Sequence, residues 1–131
     1  MMKLSDVKEY IKSLGIAESV YMGKMDSKKE KSIGVYNSKH SHEYKTAIGG
    51  PALQSYGTKY VTFLVHWNKS PQETENAAVS LFQKLEEAQD VKINETTIKF
   101  IQLLTNEPVD VDTDENGIFE MVIEAAIIYS K

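Results

Sequence analysis

The sequence predicts an α+β fold in which a single antiparallel or mixed β-sheet carries two helices packed on one face. Residues 60–67 and 118–129 alternate with a period of two, which is typical of strands that have one strongly apolar face. Residues 71 to about 89 instead carry an apolar stripe with helical spacing, long enough to lie across a sheet. The predicted order is helix, two or three strands, helix, two strands.

Length and composition narrow the class of protein. At 131 residues, with 41% hydrophobic and 26% charged residues, we expect one globular domain over 1–131. The net charge of −4 argues against a general nucleic-acid binder, and we expect no sequence-specific nucleic-acid partner. Cysteine is absent, which rules out disulfides and thiolate metal sites. We find neither a signal peptide nor an apolar run of about 20 residues, so we expect a cytosolic chain without a membrane partner.

The first predicted helix is short and amphipathic. We expect Ser5 to cap it and Gly15 to end it. Its apolar residues are spaced at i, i+3, i+4 and i+7: Val7, Tyr10, Ile11 and Leu14.

Two short strands are predicted next, at residues 19–25 and 32–36. The charged residues between them, 26–31, indicate a solvated hairpin loop. Residues 37–59 are rich in Ser, His, Gly and Tyr, and we interpret them as a long loop that leaves room for one short strand near 44–48.

The second helix has a well-defined start. Ser70 stands at the N-cap, Pro71 at the first helical position and Glu73 three residues after the cap. The Ser hydroxyl and the Glu carboxylate can then each accept a free backbone N–H, as in a capping box. The strand of residues 60–67 therefore leads almost directly into a helix.

The last third of the chain is predicted to be mainly strand. A strand at 97–104 is followed by a turn at 106–108, an acidic loop at 110–117 and a final strand at 118–129. A helix is the competing interpretation of the final segment, because Glu120 and Glu124 are four residues apart. Its β-branched residues and the preceding Asn116–Gly117 turn signal favour the strand.

The acidic loop carries the most suggestive chemistry. From Asp112 its order matches the first half of a calcium-binding EF-hand loop. The twelfth position, however, is Ile123 rather than a carboxylate, and no helix is predicted to follow. We therefore interpret it as an exposed acidic hairpin, with weak Mg²⁺ or Ca²⁺ binding as the minority alternative, and we assign no metal or cofactor.

The remaining candidates favour structural roles. His40 and His42 could begin a zinc site, but two ligands do not complete one. For His66 the sequence nominates no nucleophile or carboxylate partner, so no catalytic residue is assigned. The run 49–51 lacks the ending of a phosphate loop and is predicted to be a turn, and Trp67 is expected to pack in the core.

Several segments carry a family resemblance. Residues 48–50 and 55–56, the run 64–70 and the run 73–78 resemble minor capsid proteins of tailed bacteriophages of Gram-positive hosts. These proteins in turn resemble tail terminators. The similarity extends through Pro108, the acidic turn and residues 117–120 to the last strand, and so covers residues 48–131.

The resemblance implies a virion structural protein with a tail-terminator-like fold and no enzymatic activity. Family members form rings, typically hexameric, that cap the tail tube and join it to the head, so the implied partners are further copies of the chain, the tail tube protein and head connector proteins. The implied location is the head–tail junction, after assembly in the host cytoplasm from an active phage or a prophage.

We expect ring contacts in the acidic loop and on the mixed face of the last strand, where apolar residues alternate with glutamates. The candidate interface residues are Asp110, Asp112, Asp114, Glu115, Ile118, Glu120, Val122 and Glu124. Two alternatives stay open. One is another neck component, such as a head-completion or tail tube subunit, and the other is a small divalent-metal-binding domain.

Overall fold

The computed structural model describes residues 1–38 and 56–130. Within these ranges the chain forms two helices and seven strands, which we number in chain order. They are α1 (Leu4–Ser13), β1 (Ser19–Met22), β2 (Ser32–Asn37), β3 (Tyr56–His66), α2 (Pro71–Glu87), β4 (Gln89–Ile93), β5 (Thr96–Leu103), β6 (Val109–Thr113) and β7 (Phe119–Ser130).

The strands form one mixed sheet, as the sequence predicts. Its order is β1-β2-β3-β7-β5-β4, with β6 paired to β7 beside this path. Only the β1–β2 pair is parallel among the described pairs. Helix α1 contacts β1 and β2 at one end of the order and β4 at the other, so the sheet curls into a half-barrel.

Both helices pack on the same face of this sheet, which confirms the predicted α+β arrangement. The odd-numbered residues of β3 and β7 point into the core, where Phe63 pairs with Ile123 and Val61 with Ala125. Apolar residues of α1 and α2 belong to the same buried cluster. Burying each large apolar side chain contributes roughly 1.5–3 kcal/mol relative to exposure. The strand interpretation of the final segment is therefore correct.

The start of α2 forms largely as predicted. Pro71 opens the helix, and the Ser70 hydroxyl accepts a hydrogen bond from the Glu73 backbone N–H at 3.3 Å. The reciprocal half of the capping box is replaced, because the Asn68 side-chain oxygen accepts the Ser70 N–H at 2.9 Å. Glu73 instead accepts from the Asn68 side-chain amide at 3.4 Å.

The start of α1 differs from the prediction. The helix begins at Leu4 with Lys3 as N-cap, so Ser5 lies inside the first turn and is not the cap. The Asp6 carboxylate accepts the Lys3 backbone N–H at 2.9 Å and the Asn94 side-chain amide at 2.7 Å. Asp6 thereby both satisfies the helix start and ties α1 to the turn between β4 and β5.

The predicted hairpin between the first two strands is wrong. β1 ends at Met22 and runs parallel to β2. Residues 23–31 therefore return the chain to the end of the sheet at which β1 begins, so that Ser32 pairs with Ser19. This return loop is held by backbone hydrogen bonds, from Gly23 N–H to Val35 O at 3.1 Å and from Lys31 N–H to Trp67 O at 2.7 Å. The charged composition indicated a loop correctly but carried no information about strand direction.

Other boundaries also need correction. The predicted loop at 37–59 is too long, because Asn37 belongs to β2 and residues 56–59 to β3, while the optional strand at 44–48 lies outside the described residues. β4 was not predicted, since only its apolar residues Val91 and Ile93 are partly buried. The predicted acidic loop was also too long, because residues 109–113 form strand β6.

No helix in the described ranges has the length and hydropathy required to span a membrane.

Candidate functional site

Residues 109–117, which we call the acidic arm, comprise β6 and the turn that leads into β7. All five residues of β6 are exposed, and its valines, Val109 and Val111, are 46% and 45% exposed. Within the described ranges β6 pairs with β7 alone, and no strand covers its other edge. The pairing is irregular between Asp110 and Thr113, where the Asp110 carboxylate accepts the Asp112 N–H at 3.2 Å. An exposed strand edge of this kind is a template for pairing with another chain.

The turn of the arm is built around Asp114. One carboxylate oxygen, Oδ1, accepts backbone N–H groups from Asn116 at 2.8 Å and Ile118 at 3.0 Å. Gly117 has a φ of +79°, which a glycine adopts without strain. Ile123, the twelfth position of the EF-hand comparison, is fully buried in the core. The arm therefore forms a hairpin turn, and its geometry does not continue into an EF-hand.

The opposite face of β7, directed away from the helices, is mixed in character. Glu120, Val122 and Glu124 are partly buried there, whereas Ile118 is only 4% exposed. The Thr62 hydroxyl lies 3.5 Å from Glu124 Oε1 across the β3–β7 pair. The eight candidate interface residues thus divide into an exposed group, Asp110, Asp112 and Glu115, and a group more deeply held by the fold.

Two of the more deeply held residues meet His66, the last residue of β3. Its ring is 1% exposed, and its Nδ1 lies 2.8 Å from Glu120 Oε2 and 3.8 Å from Asp114 Oδ2. The β3–β7 register places His66 directly opposite Glu120. Its other nitrogen, Nε2, lies 3.0 Å from the carbonyl oxygen of Ser27 in the return loop. His66 therefore has carboxylate partners that the sequence did not nominate.

The surroundings of Glu120 also affect a neighbouring phenol. Partial burial, with the negative charge of Glu120 as a second cause, raises the pKa of Tyr36. Tyr36 lies on β2, two strands from Glu120, so the influence of this carboxylate extends across the sheet surface.

A cleft separates the acidic arm from α2. Its volume is about 550 Å³, and it lies between Glu75 and Val79 of the helix and Val109 and Asp110 of the arm, with Pro108 and Met121 in its lining. A smaller neighbouring cavity of about 150 Å³ is lined by Pro71, Thr74 and Phe119 among others. Both linings mix carboxylates and threonines with apolar side chains.

The other candidates from the sequence are Trp67, His40, His42 and the turn at 49–51. Trp67 is 8% exposed and belongs to the core cluster, which confirms its predicted role in packing. His40, His42 and the turn at 49–51 lie outside the described residues.

Comparison with known proteins identifies a family. A family model described as "Bacteriophage tail terminator protein" matches residues 10–131. None of the curated proteins matches the chain. Because the match spans nearly the whole sequence, the chain belongs to the bacteriophage tail terminator family, whose members are structural components of the virion tail and not enzymes.

Proposed function

From its membership of the tail terminator family, we propose that this protein assembles into a ring that caps the tail tube and forms part of the head–tail junction. The observation that carries the proposal is the family match over residues 10–131. By resemblance to other family members the ring is a hexamer, assembled in the cytoplasm of the bacterial host. Its partners are the tail tube protein on one side and minor capsid or connector proteins on the other.

The free edge of β6 supports the proposed ring. A closed ring needs a heterologous interface, in which one surface of each subunit meets a different surface of its neighbour. The exposed edge of β6 offers backbone hydrogen bonds, and Val109 and Val111 offer apolar contact beside them. The adjoining cleft lies between the arm and α2 and supplies a concave surface next to the edge.

The acidic residues of the arm are proposed to control when that edge pairs. Asp110 and Asp112 alternate with the valines along β6, and charges on an edge strand suppress indiscriminate edge-to-edge association. The free chain then stays monomeric until the tail tube supplies a template. Glu115 at the turn and the half-buried Val122 and Glu124 of β7 extend the proposed contact surface.

Electron microscopy of the purified full-length protein, alone and mixed with tail tubes of its own phage, tests this proposal together with light scattering for mass. Rings of one size, free or on one end of a tube, are the expected result. Long cylinders would identify a tube subunit instead, and binding to heads without binding to tails would identify a head-completion protein.

A charge-reversed pair tests the acidic arm directly. Asp110→Lys with Asp112→Lys is expected to abolish ring formation, because the proposed contact sets these exposed carboxylates against the neighbouring subunit. Circular dichroism checks that the variant stays folded, since the change also removes the hydrogen bond from the Asp112 N–H to Asp110 Oδ1. The matched control is Glu9→Lys with Glu18→Lys, which makes the same charge change at exposed positions remote from the arm. If rings form equally well in both double variants, the acidic arm is not the ring contact.

A further inference from the structure

The cluster of His66, Asp114 and Glu120 contains one carboxylate oxygen without a partner. Asp114 Oδ2 is buried and has no hydrogen-bond donor among the described residues, although Oδ1 of the same carboxylate accepts two backbone N–H groups. Leaving a buried polar atom unpaired destabilises a fold, and more so when the atom is charged. The described residues therefore leave this oxygen without a hydrogen-bond donor.

His66 cannot be that partner. Ser27 O can only accept a hydrogen bond, so Nε2 must carry a proton to donate across the 3.0 Å separation. The remaining nitrogen, Nδ1, can carry at most one further proton, and that N–H donates its hydrogen bond to Glu120 Oε2 at 2.8 Å. Asp114 Oδ2, at 3.8 Å from Nδ1, is left without a donor even when the imidazole is doubly protonated.

A metal cation resolves this shortage. We propose that Nδ1 of His66, Oδ2 of Asp114 and Oε2 of Glu120 form a binding site for a first-row divalent transition metal such as Zn²⁺. The three donor atoms lie within 4.8 Å of one another. Zinc lies about 2.0–2.2 Å from imidazole nitrogen and carboxylate oxygen, so one ion reaches all three atoms after small side-chain adjustments.

Charge and protons balance in the proposed site. Binding displaces the Nδ1 proton to solvent, and the Nδ1 lone pair and one oxygen of each carboxylate bond to the ion. The two positive charges of the ion then match the two carboxylates. Ser27 O keeps its hydrogen bond from Nε2–H, which is the outer-shell contact that orients metal-binding histidines. An imidazole ligand favours Zn²⁺, Ni²⁺ or Cu²⁺ over Mg²⁺ and Ca²⁺.

The position of the site gives it a structural role. Its ligands come from the end of β3, the turn of the acidic arm and the start of β7, and its outer contact comes from the return loop. An ion there would fix the arm against the sheet at the place where the proposed ring contact begins. The site itself is a separate proposal from the ring and is tested without tails.

Zinc titration of the chelator-treated full-length protein, in competition with a chromophoric chelator, measures the affinity. The test variant is Asp114→Asn, whose amide oxygen can still accept the Asn116 and Ile118 N–H groups but whose amide nitrogen cannot bind a cation. We expect it to lower zinc affinity at least about tenfold. The matched control, Asp112→Asn, makes the same charge change on an exposed neighbour and should bind zinc as the parent does.

Two further measurements make the outcome decisive. His40→Gln with His42→Gln removes the other histidines and should leave zinc binding intact, and ¹⁵N NMR of the His66 ring should show Nδ1 deprotonated when zinc is saturating. Glu120→Gln provides a second ligand variant if Asp114→Asn fails to fold. The proposal is overturned if zinc binds Asp114→Asn like the parent, if the His40/His42 variant loses binding, or if Nδ1 stays protonated.

Discussion

β5 and β6 pair with the same edge of β7, yet β5 has buried residues and β6 has none. β5 pairs with residues 125–130 of β7 and buries Ile98 and Ile101 beneath α2, with β4 covering its outer edge. β6 pairs with the first part of β7, and none of its five residues is buried. Pairing with the same strand therefore does not give two strands the same degree of burial.

What distinguishes the two strands is the layer behind them. Helix α2 contacts β3, β5 and β7, whereas a cleft separates it from β6. Strand pairing contributes modestly by itself, and burial of apolar area beneath a helix contributes most of the stability. β5 thus belongs to the scaffold, while β6 is available for association.

The contrast between β5 and β6 can be tested by replacing one apolar residue in each strand, Ile98 in β5 and Val111 in β6. Ile98→Ala removes a fully buried side chain of β5 and is expected to lower the free energy of unfolding by about 2–5 kcal/mol, because a cavity remains under α2. Chemical denaturation measures this loss. A change below about 1 kcal/mol would contradict the burial of Ile98, because the transfer free energy of the deleted carbons alone exceeds that value even if the cavity collapses.

A second substitution tests the tightness of packing where β3 meets the β5-flanked half of β7. A Cβ added at Gly57 would lie 2.5 Å from the ring of Tyr129, which is 6% exposed. We expect Gly57→Ala to destabilise the fold by about 1–3 kcal/mol, since the ring must shift within a packed core. Thermal unfolding of Gly57→Ala, with and without Tyr129→Leu, measures it. Relief of the loss in the double variant would identify the ring as its cause.

The link between α1 and the β4–β5 turn gives a pH-dependent prediction. Burial disfavours the charge of Asp6, but hydrogen bonds from the Lys3 N–H and the Asn94 amide outweigh it, so the pKa of Asp6 is lowered. A lowered pKa stabilises the fold above the unfolded-state value, and this stability is lost as pH falls through the folded-state pKa.

Asp6→Ala is accordingly expected to cost about 1–2 kcal/mol at neutral pH. The difference from the parent should shrink as the pH falls from about 4, near the unfolded-state pKa, through the lower folded-state pKa, below which the carboxylate is protonated in both folded and unfolded chains. Urea denaturation at several pH values measures it. A difference that is constant with pH would mean that the carboxylate's charge is irrelevant to the link.

The smallest effect on stability is expected in β6. Val111→Ala should change the free energy of unfolding by no more than about 0.5 kcal/mol, because the side chain is 45% exposed. Backbone amides of β6 should also exchange with solvent faster than those of β5, which hydrogen exchange measures. Comparable protection of the two strands in the free subunit would contradict the division into scaffold and association strand.

The sequence predicts best where chemistry is local. The N-cap at Ser70 with Pro71 after it and the alternation through β3 and β7 depend on neighbouring residues, and the structure confirms them. The start of helix α1 was harder to predict from local sequence. Ser5 could have been the N-cap, but Lys3 is the N-cap and the Asp6 carboxylate accepts its backbone N–H. The carboxylate was favoured by its second hydrogen bond, to Asn94, which lies far along the chain.

The features that were missed depend on contacts distant in sequence. β1 runs parallel to β2, which depends on their pairing in the sheet, and the carboxylate partners of His66 lie beyond α2 and β5 in the sequence. β6 did leave a signal, since Val109 and Val111 alternate with Asp110 and Asp112 with the period of a strand. The acidic composition had favoured the loop interpretation.

The central place of β7 also has a consequence for biosynthesis. β7 follows the other described strands along the chain, yet it joins β3 to β5 in the middle of the sheet order. Neither flank can complete its ladder until β7 arrives, and contacts of such long sequence separation make folding slow. The growing polypeptide consequently exposes apolar strand surface until β7 has been synthesised, and we expect it to engage host chaperones during that interval.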